Sequence, residues 1–356
     1  MKRNFTISAP AVVCIAGATE MPMGLPSLWM AVNQRLTIEA LPEDSGAEAL
    51  GVHRGSEILD PQANPIAIAV RETIESLDAF LGHPAEARLL PAFVKTPKSW
   101  PDAAADMLRA PTAVAAATAA LKLSSALDKA SSQKIAAIAT GGLKKFPAAA
   151  PECLAAAIGG LLLFQASPAP SFIQVQAATG DFIVCFPATE RGLDFAYYAT
   201  GIAEVMGKVR ASHPETDFSS GDFDAMLSCL SGLDQKTACA AYAHIRLRQI
   251  LSQMMEAMGC DMFDCNRFGE LLDDQREICA QYLSMDWDGC AEKADAAKKA
   301  GARGAGILLS GRMPPALLIY AGDSAAGVMK ALKKTESIAM RISKDGGAAI
   351  ESGGEN

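Results

Sequence analysis

The side chains of this chain that could do chemistry are scattered, and their spacing excludes more than it builds. Nine cysteines occur: Cys14, Cys153, Cys185, Cys229, Cys239, Cys260, Cys265, Cys279 and Cys290. The number is odd, and no two show the tight two-residue spacing that zinc sites favour, so reduced thiols are the expected state. Cys260 and Cys265 lie near enough to pair or share a metal, but free thiols are the simpler reading. His53, His83, His213 and His244 form no metal-site spacing and are expected on the surface or in helix packing. Asp261, Asp264, Asp273 and Asp274 gather carboxylates without completing a cation-binding loop. Glu152 follows Pro151 at the start of a predicted helix. A carboxylate there can accept a proton from a hydroxyl, or it can simply complement the helix dipole. Lys144 and Lys145 precede it and could bring positive charge nearby, but a solvated loop is the better reading. Met254, Met255 and Met258 share helical spacing with Leu251, which predicts core packing and no cofactor role.

The elements that must position these residues alternate in type. Residues 5–8 alternate apolar and polar, Pro10 is expected to break that strand, and residues 12–16 read as a buried one. A turn-rich loop over 17–26 leads to a further strand region over 28–40. Residues 66–81 have helical periodicity, with Ile66, Val70, Ile74 and Leu77 on one face. An alanine-rich helix is expected over 113–127, just after Pro111, because proline is tolerated in a first turn. Residues 135–140 continue as helix up to Gly141-Gly142, and Pro151 opens another that ends near Gly159-Gly160. Strands follow over 161–164, 172–176 and 182–186. Helices are then expected over 192–210, 223–230, 237–258, 268–282 and 286–300. A strand over 317–320, a helix over 325–334 and a strand over 338–342 complete the pattern. Residues 345–356, rich in glycine and acid, read as a flexible, solvated tail.

Composition fits this picture. The chain has 356 residues, 50% hydrophobic and 20% charged, enough for two domains with substantial cores. A formal net charge of -8 supplies no basic surplus to neutralise phosphates, so nucleic acid is not an expected partner. The longest apolar stretch, residues 154–164, contains Gly159-Gly160 and is too short to span a bilayer. No secretory signal pattern opens the chain. A soluble, cytoplasmic protein with no membrane partner is therefore expected.

Four segments carry a resemblance. In residues 9–37, Ala9-Pro10-Ala11 precedes the buried strand and Gly17, then Ala18-Thr19-Glu20, then Gly24 and Pro26 before a second apolar strand. Pro111-Thr112-Ala113-Val114-Ala115-Ala116-Ala117-Thr118 has the place and length of a glycine- and serine-rich phosphate loop. Glu152 lies at a fixed offset before Gly159-Gly160. Phe268-Gly269-Glu270 and, later, Ala300-Gly301-Ala302-Arg303-Gly304 precede Ser310-Gly311-Arg312 and a strand. In order and offset these resemble the signatures of the GHMP superfamily of small-molecule kinases, typified by galactokinase, homoserine kinase, mevalonate kinase and phosphomevalonate kinase. The resemblance implies an α+β, two-domain GHMP-kinase-like fold. Its N-terminal half would be ribosomal-protein-S5-domain-2-like over 1–175, and its C-terminal half ferredoxin-like over 176–344.

The resemblance covers shape better than chemistry. Val12 stands where many members have lysine or arginine, and Ala18-Thr19 stand where they have glutamate and histidine. The glycines of the phosphate loop are replaced, so its backbone N–H groups lose the freedom to close on phosphates. The expected result is a helix that starts earlier, through the space a triphosphate would fill. Arg312, Met313, Pro314 and Pro315 replace a glycine-rich turn. By the resemblance, Glu152 takes the place of the catalytic aspartate, and Thr112, Ala116, Thr118, Ser310, Gly311 and Arg312 take the nucleotide-binding positions. Three readings stay open. One is a repurposed kinase fold that binds a small metabolite without standard phosphotransfer and needs no cofactor. Another is an active kinase using ATP and magnesium on an alcohol. The third is different chemistry on the same scaffold. Some members dimerise, so the resemblance allows a homodimer without requiring one.

Overall fold

The first strand is longer than its proline suggests. In the computed structural model of the protein, residues 5–40, 52–54, 57–60, 62–81, 92–96, 100, 105, 107–124, 126–143, 149–167, 169–175, 180–186, 195–259, 263–287, 289–308, 316–332, 337–343 and 346–351 are described. Strand β1, Phe5–Ala16, runs unbroken through Pro10. Proline suits extended backbone and removes only one donor, and Pro10 lies past Thr6, Ile7 and Ser8, the residues paired with β12, Ala349–Glu351.

Contacts divide the chain into two compact units, neither of them a continuous stretch. The first comprises Met1–Val13, Met30–Gly160 and Ile342–Asn356, and the second Cys14–Trp29 and Leu161–Arg341. In the first unit the sheet order is β12-β1-β2-β5-β3-β4, with β2 at Ser27–Ala40, β3 at Val52–Arg54, β4 at Glu57–Leu59 and β5 at Ala92–Lys95. The β3–β5 pair is parallel, while β2–β5 and β3–β4 are antiparallel. None of β3, β4 and β5 is legible in the sequence, because runs of three or four residues are too short to show a period. Residues 349–351, expected in a solvated tail, have exposed side chains but pair as strand β12.

Helices α1 (Pro65–Leu81), α2 (Arg109–Leu123), α3 (Ser132–Gly142) and α4 (Ala149–Ile158) pack on one another in this unit. Small residues set their separation. A Cβ on Gly142 would lie 2.6 Å from the Thr73 Cα, so the glycine pair read as a helix end is an α1–α3 contact inside α3.

In the second unit, β6 (Leu161–Gln165) pairs with β7 (Ser171–Val175) and with β2, whose Ser27, Leu28 and Trp29 belong to this unit. A separate sheet has the order β11-β8-β10-β9, all antiparallel, from β8 (Asp181–Cys185), β9 (Gly304–Leu308), β10 (Ala316–Gly322) and β11 (Ser337–Met340). Strand β9 was not anticipated, since Gly304 and Gly306 make it read as a turn. The glycines are there because α8 (Cys265–Leu283) lies against the strand: a Cβ on Gly306 would meet Leu272 Cδ2 at 2.9 Å. The remaining helices are α5 (Phe195–Ser212), α6 (Phe223–Ser228), α7 (Gln235–Gly259), α9 (Cys290–Lys299) and α10 (Ala325–Ala331). Asp222, Asp234 and Asp264 accept N–H bonds at the starts of α6, α7 and α8. Asp273 of α8 accepts from Lys298 Nζ at 2.6 Å and from the Ala305 amide at 3.1 Å, which ties α9 and β9 to the same helix.

Candidate functional site

Helix α2 decides what the glycine-free loop has become. It begins at Arg109, two residues before Pro111, so the amide of Thr112 and those after it fall inside the i→i−4 ladder. Every residue from 111 to 120 is buried. Thr112 Oγ1 donates to the Leu108 carbonyl at 2.5 Å and Thr118 Oγ1 to the Val114 carbonyl at 2.7 Å. Both hydroxyls therefore back-bond within their own helix. Ala116 is 5% exposed, and Ala113, Ala115 and Ala117, at the loop's glycine positions by the resemblance, are each 0% exposed. A triphosphate needs free amides and room for oxygens. The residues present offer neither, and they do not fit that group.

Glu152 lies in the first turn of α4, partly buried, in the first unit with α2 and α3. Its neighbour Cys153 is fully buried against α3. Burial raises that thiol far above its ordinary value, the Glu152 charge adds to the rise, and a hydrogen bond with Thr140 opposes it. Cys153 is thus an inert packing thiol. Ser310, Gly311 and Arg312 lie outside the described residues, as do Lys144, Lys145 and Cys260. Strands β9 and β10 are antiparallel partners, with Ala316 opposite Leu308. The described cysteines are free, and no group of three His, Cys, Asp or Glu side chains among the described residues is placed to hold a metal. No described helix is long and apolar enough to cross a membrane.

The second unit holds polar residues that spacing does not connect. His244 of α7 and Glu20, 224 positions apart, are 2% and 1% exposed, with Nδ1 3.0 Å from Oε1. Thr19 Oγ1 donates to the other carboxylate oxygen at 2.7 Å. His244 Nε2 is buried with no hydrogen-bond partner among the described residues. Arg248, one turn further along α7, donates to the carbonyls of Phe218, Ser219 and Ser220 and so clamps the loop after α5. Glu20 sits beside the Ala18-Thr19 that replace the glutamate–histidine pair, and only the fold brings α7 to it.

No protein-family profile matches the chain, and no curated protein matches it in sequence. Solved structures do match. Lactococcus lactis galactokinase, in complex with galactose, superposes at a TM-score of 0.73, with 14% identity over 98% of this chain and 95% of that one. L. major mevalonate kinase, in complex with R-mevalonate, gives 0.62 with 16% identity over 96% of each chain. Homoserine kinase from Cytophaga hutchinsonii gives 0.59 with 14% identity over 99% of this chain and 98% of its own.

The fold is that of the GHMP kinases. Identities this low carry the fold and nothing of the chemistry, because function resides in a site grafted on a scaffold. The expected α+β, GHMP-kinase-like architecture is therefore present over nearly the whole chain, and it houses a helix where the resemblance places the phosphate loop.

Proposed function

We propose that the protein is a diverged GHMP-kinase-fold protein that binds a small metabolite and does not carry out standard ATP phosphotransfer. The supporting observation is α2, which continues through residues 112–118 with amides in the helical ladder, hydroxyls bonded to Leu108 and Val114, and side chains buried. Phosphoryl transfer depends on positioning and on charge stabilisation around the polyphosphate, and neither has a foothold there. The fold's small-molecule use argues for a metabolite as the partner, in solution, with no role for nucleic acid.

One observation favours a second reading, an ATP- and magnesium-dependent kinase acting on a hydroxyl of a sugar or mevalonate-like compound. Glu152 keeps a carboxylate in the first turn of α4 and is not fully buried. In that reading Glu152 is the base, Thr118 and Ser310 lie near phosphate, and Arg312 supplies positive charge.

Thermal unfolding with and without magnesium–ATP, alongside ATP consumption in the presence of galactose, mevalonate or homoserine, separates the two. We expect no shift and no consumption. A ligand at a hundred times its Kd stabilises a native state by about 2.7 kcal/mol, a rise of several degrees that cannot be missed. Such a rise, with acceptor-dependent consumption, overturns the proposal.

A further inference from the structure

The second unit carries a cleft of about 750 Å³, inside the range of small-molecule pockets. Residues 23–26, Gln165 and Ser167 form one part of its wall, and the end of α5 with the loop behind it forms another. Two guanidinium groups line it. Arg248 is half-buried and fixed by the carbonyls of Phe218, Ser219 and Ser220. Arg210, in the last turn of α5, is exposed, and its guanidinium makes no hydrogen bond or ion pair among the described residues. The two are close enough to interact. Burial lowers the Arg248 pKa most, attraction to Asp217 offsets part of that, and repulsion from Arg210 lowers it further.

The acidic group on this wall does not neutralise the pair's free donors. Asp217 Oδ1 accepts from the Ser219 amide at 2.8 Å and from Ser219 Oγ at 2.5 Å, so it is turned into its own loop. A smaller recess shares Arg210, Phe218 and Arg248 with the cleft and is lined further in by Met206, Met226, His244 and Glu20. The Glu20 carboxylate is engaged by His244 Nδ1 at 3.0 Å and by Thr19 Oγ1 at 2.7 Å, and it also attracts Arg248. That histidine's Nε2 is buried and unpartnered, an orphan polar atom of the kind a ligand or a water satisfies. Two like charges held beside one cavity, one of them with its whole donor fork free, form a site poised for an anion.

We infer that this cleft binds a small anionic metabolite, its carboxylate or phosphate group hydrogen-bonded by Arg210 and further attracted by the fixed charge of Arg248. The inference deepens the metabolite-binding reading and rests on it. Arg248 contributes charge, because its terminal nitrogens are already engaged by the loop. Arg210 contributes the bidentate contact.

Titration calorimetry with inorganic phosphate and, separately, with succinate tests the site and distinguishes the two anions. We expect at least one to bind, with affinity falling as salt rises. Arg210→Gln should weaken that binding about tenfold or more, while Lys208→Gln, an exposed charge on the same helix, should leave it unchanged. Both positions are exposed, so both variants should fold, and their melting curves check that. Binding of neither anion, equal binding by R210Q, or equal loss in K208Q overturns the site. Failure here is separable from failure of the functional proposal. A metabolite that binds R210Q as tightly as the parent removes the cleft and leaves the binding reading intact. Arg210-dependent binding in a protein that also consumes ATP keeps the cleft and removes that reading.

Discussion

Asp234 illustrates what single residues contribute. It immediately precedes α7, and its carboxylate is held below the ordinary value of 3.8 by the Thr237 hydroxyl and then by the Thr237 amide. Asp217 is lowered in the same direction, by the Ser219 hydroxyl and then by the Ser219 amide. The sign follows from linkage: a carboxylate with a depressed folded pKa stabilises fully above its unfolded value, and that contribution disappears as pH falls through the folded one. Asp234→Ala should therefore lower the melting temperature at pH 6 and narrow its gap to the parent as the pH drops below about 3.8. A gap that stays constant from pH 6 to pH 2 would show that the carboxylate's ionisation is not what the helix start uses. The capping pattern of Asp234 with Thr237 is visible in sequence, since aspartate before a helical run is a local signal. The Glu20–His244 pair is not. Nothing local marks two polar residues so far apart as partners, and each alone reads as an ordinary surface or packing residue.

At the scale of elements, α2 is where composition and function meet. Alanines at 113, 115 and 117 are each 0% exposed in the helix interior. Replacing all three by glycine, which restores the glycine positions of the phosphate loop, removes buried methyls and adds backbone entropy to the unfolded chain. The expected cost is about 3–5 kcal/mol in urea unfolding. A change under about 1 kcal/mol would mean that residues 113–117 are not a packed helix in solution. The helix itself was legible, because alanine-rich sequence with one early proline has few other uses. Its true start was legible only in outline, since Arg109 and Ala110 precede Pro111 and carry no N-cap signal. Strand β9 was hidden for the opposite reason. Its glycines serve the close approach of α8, and a glycine chosen for contact looks the same in sequence as one chosen for a turn.

For the molecule as a whole, the end of the chain completes the first unit. Val32 bridges to Ile342, the Ser343 amide donates to the Ala31 carbonyl at 2.8 Å, and Arg35 Nη2 donates to the Gly347 carbonyl at 2.6 Å. Gly159, at φ +83°, lies so near Gly346 that a Cβ would sit 2.6 Å from its carbonyl oxygen. Ending the chain after Arg341 removes the buried Ile342, these hydrogen bonds and β12, and should cost about 3 kcal/mol, read as a lower denaturant midpoint. An unchanged midpoint would mean that the terminal residues are not part of the folded unit. By itself the sequence determined the class of elements, the kinase-like order of its four segments and the loss of the glycines, since propensity, period and steric freedom are local properties written residue by residue. Tertiary structure alone decided which distant segments share a unit, how β12 closes on β1, that Glu20 meets His244 and that Arg210 and Arg248 face one cleft. Those depend on where chain segments tens to hundreds of positions apart come to rest, and no short-range pattern encodes that placement.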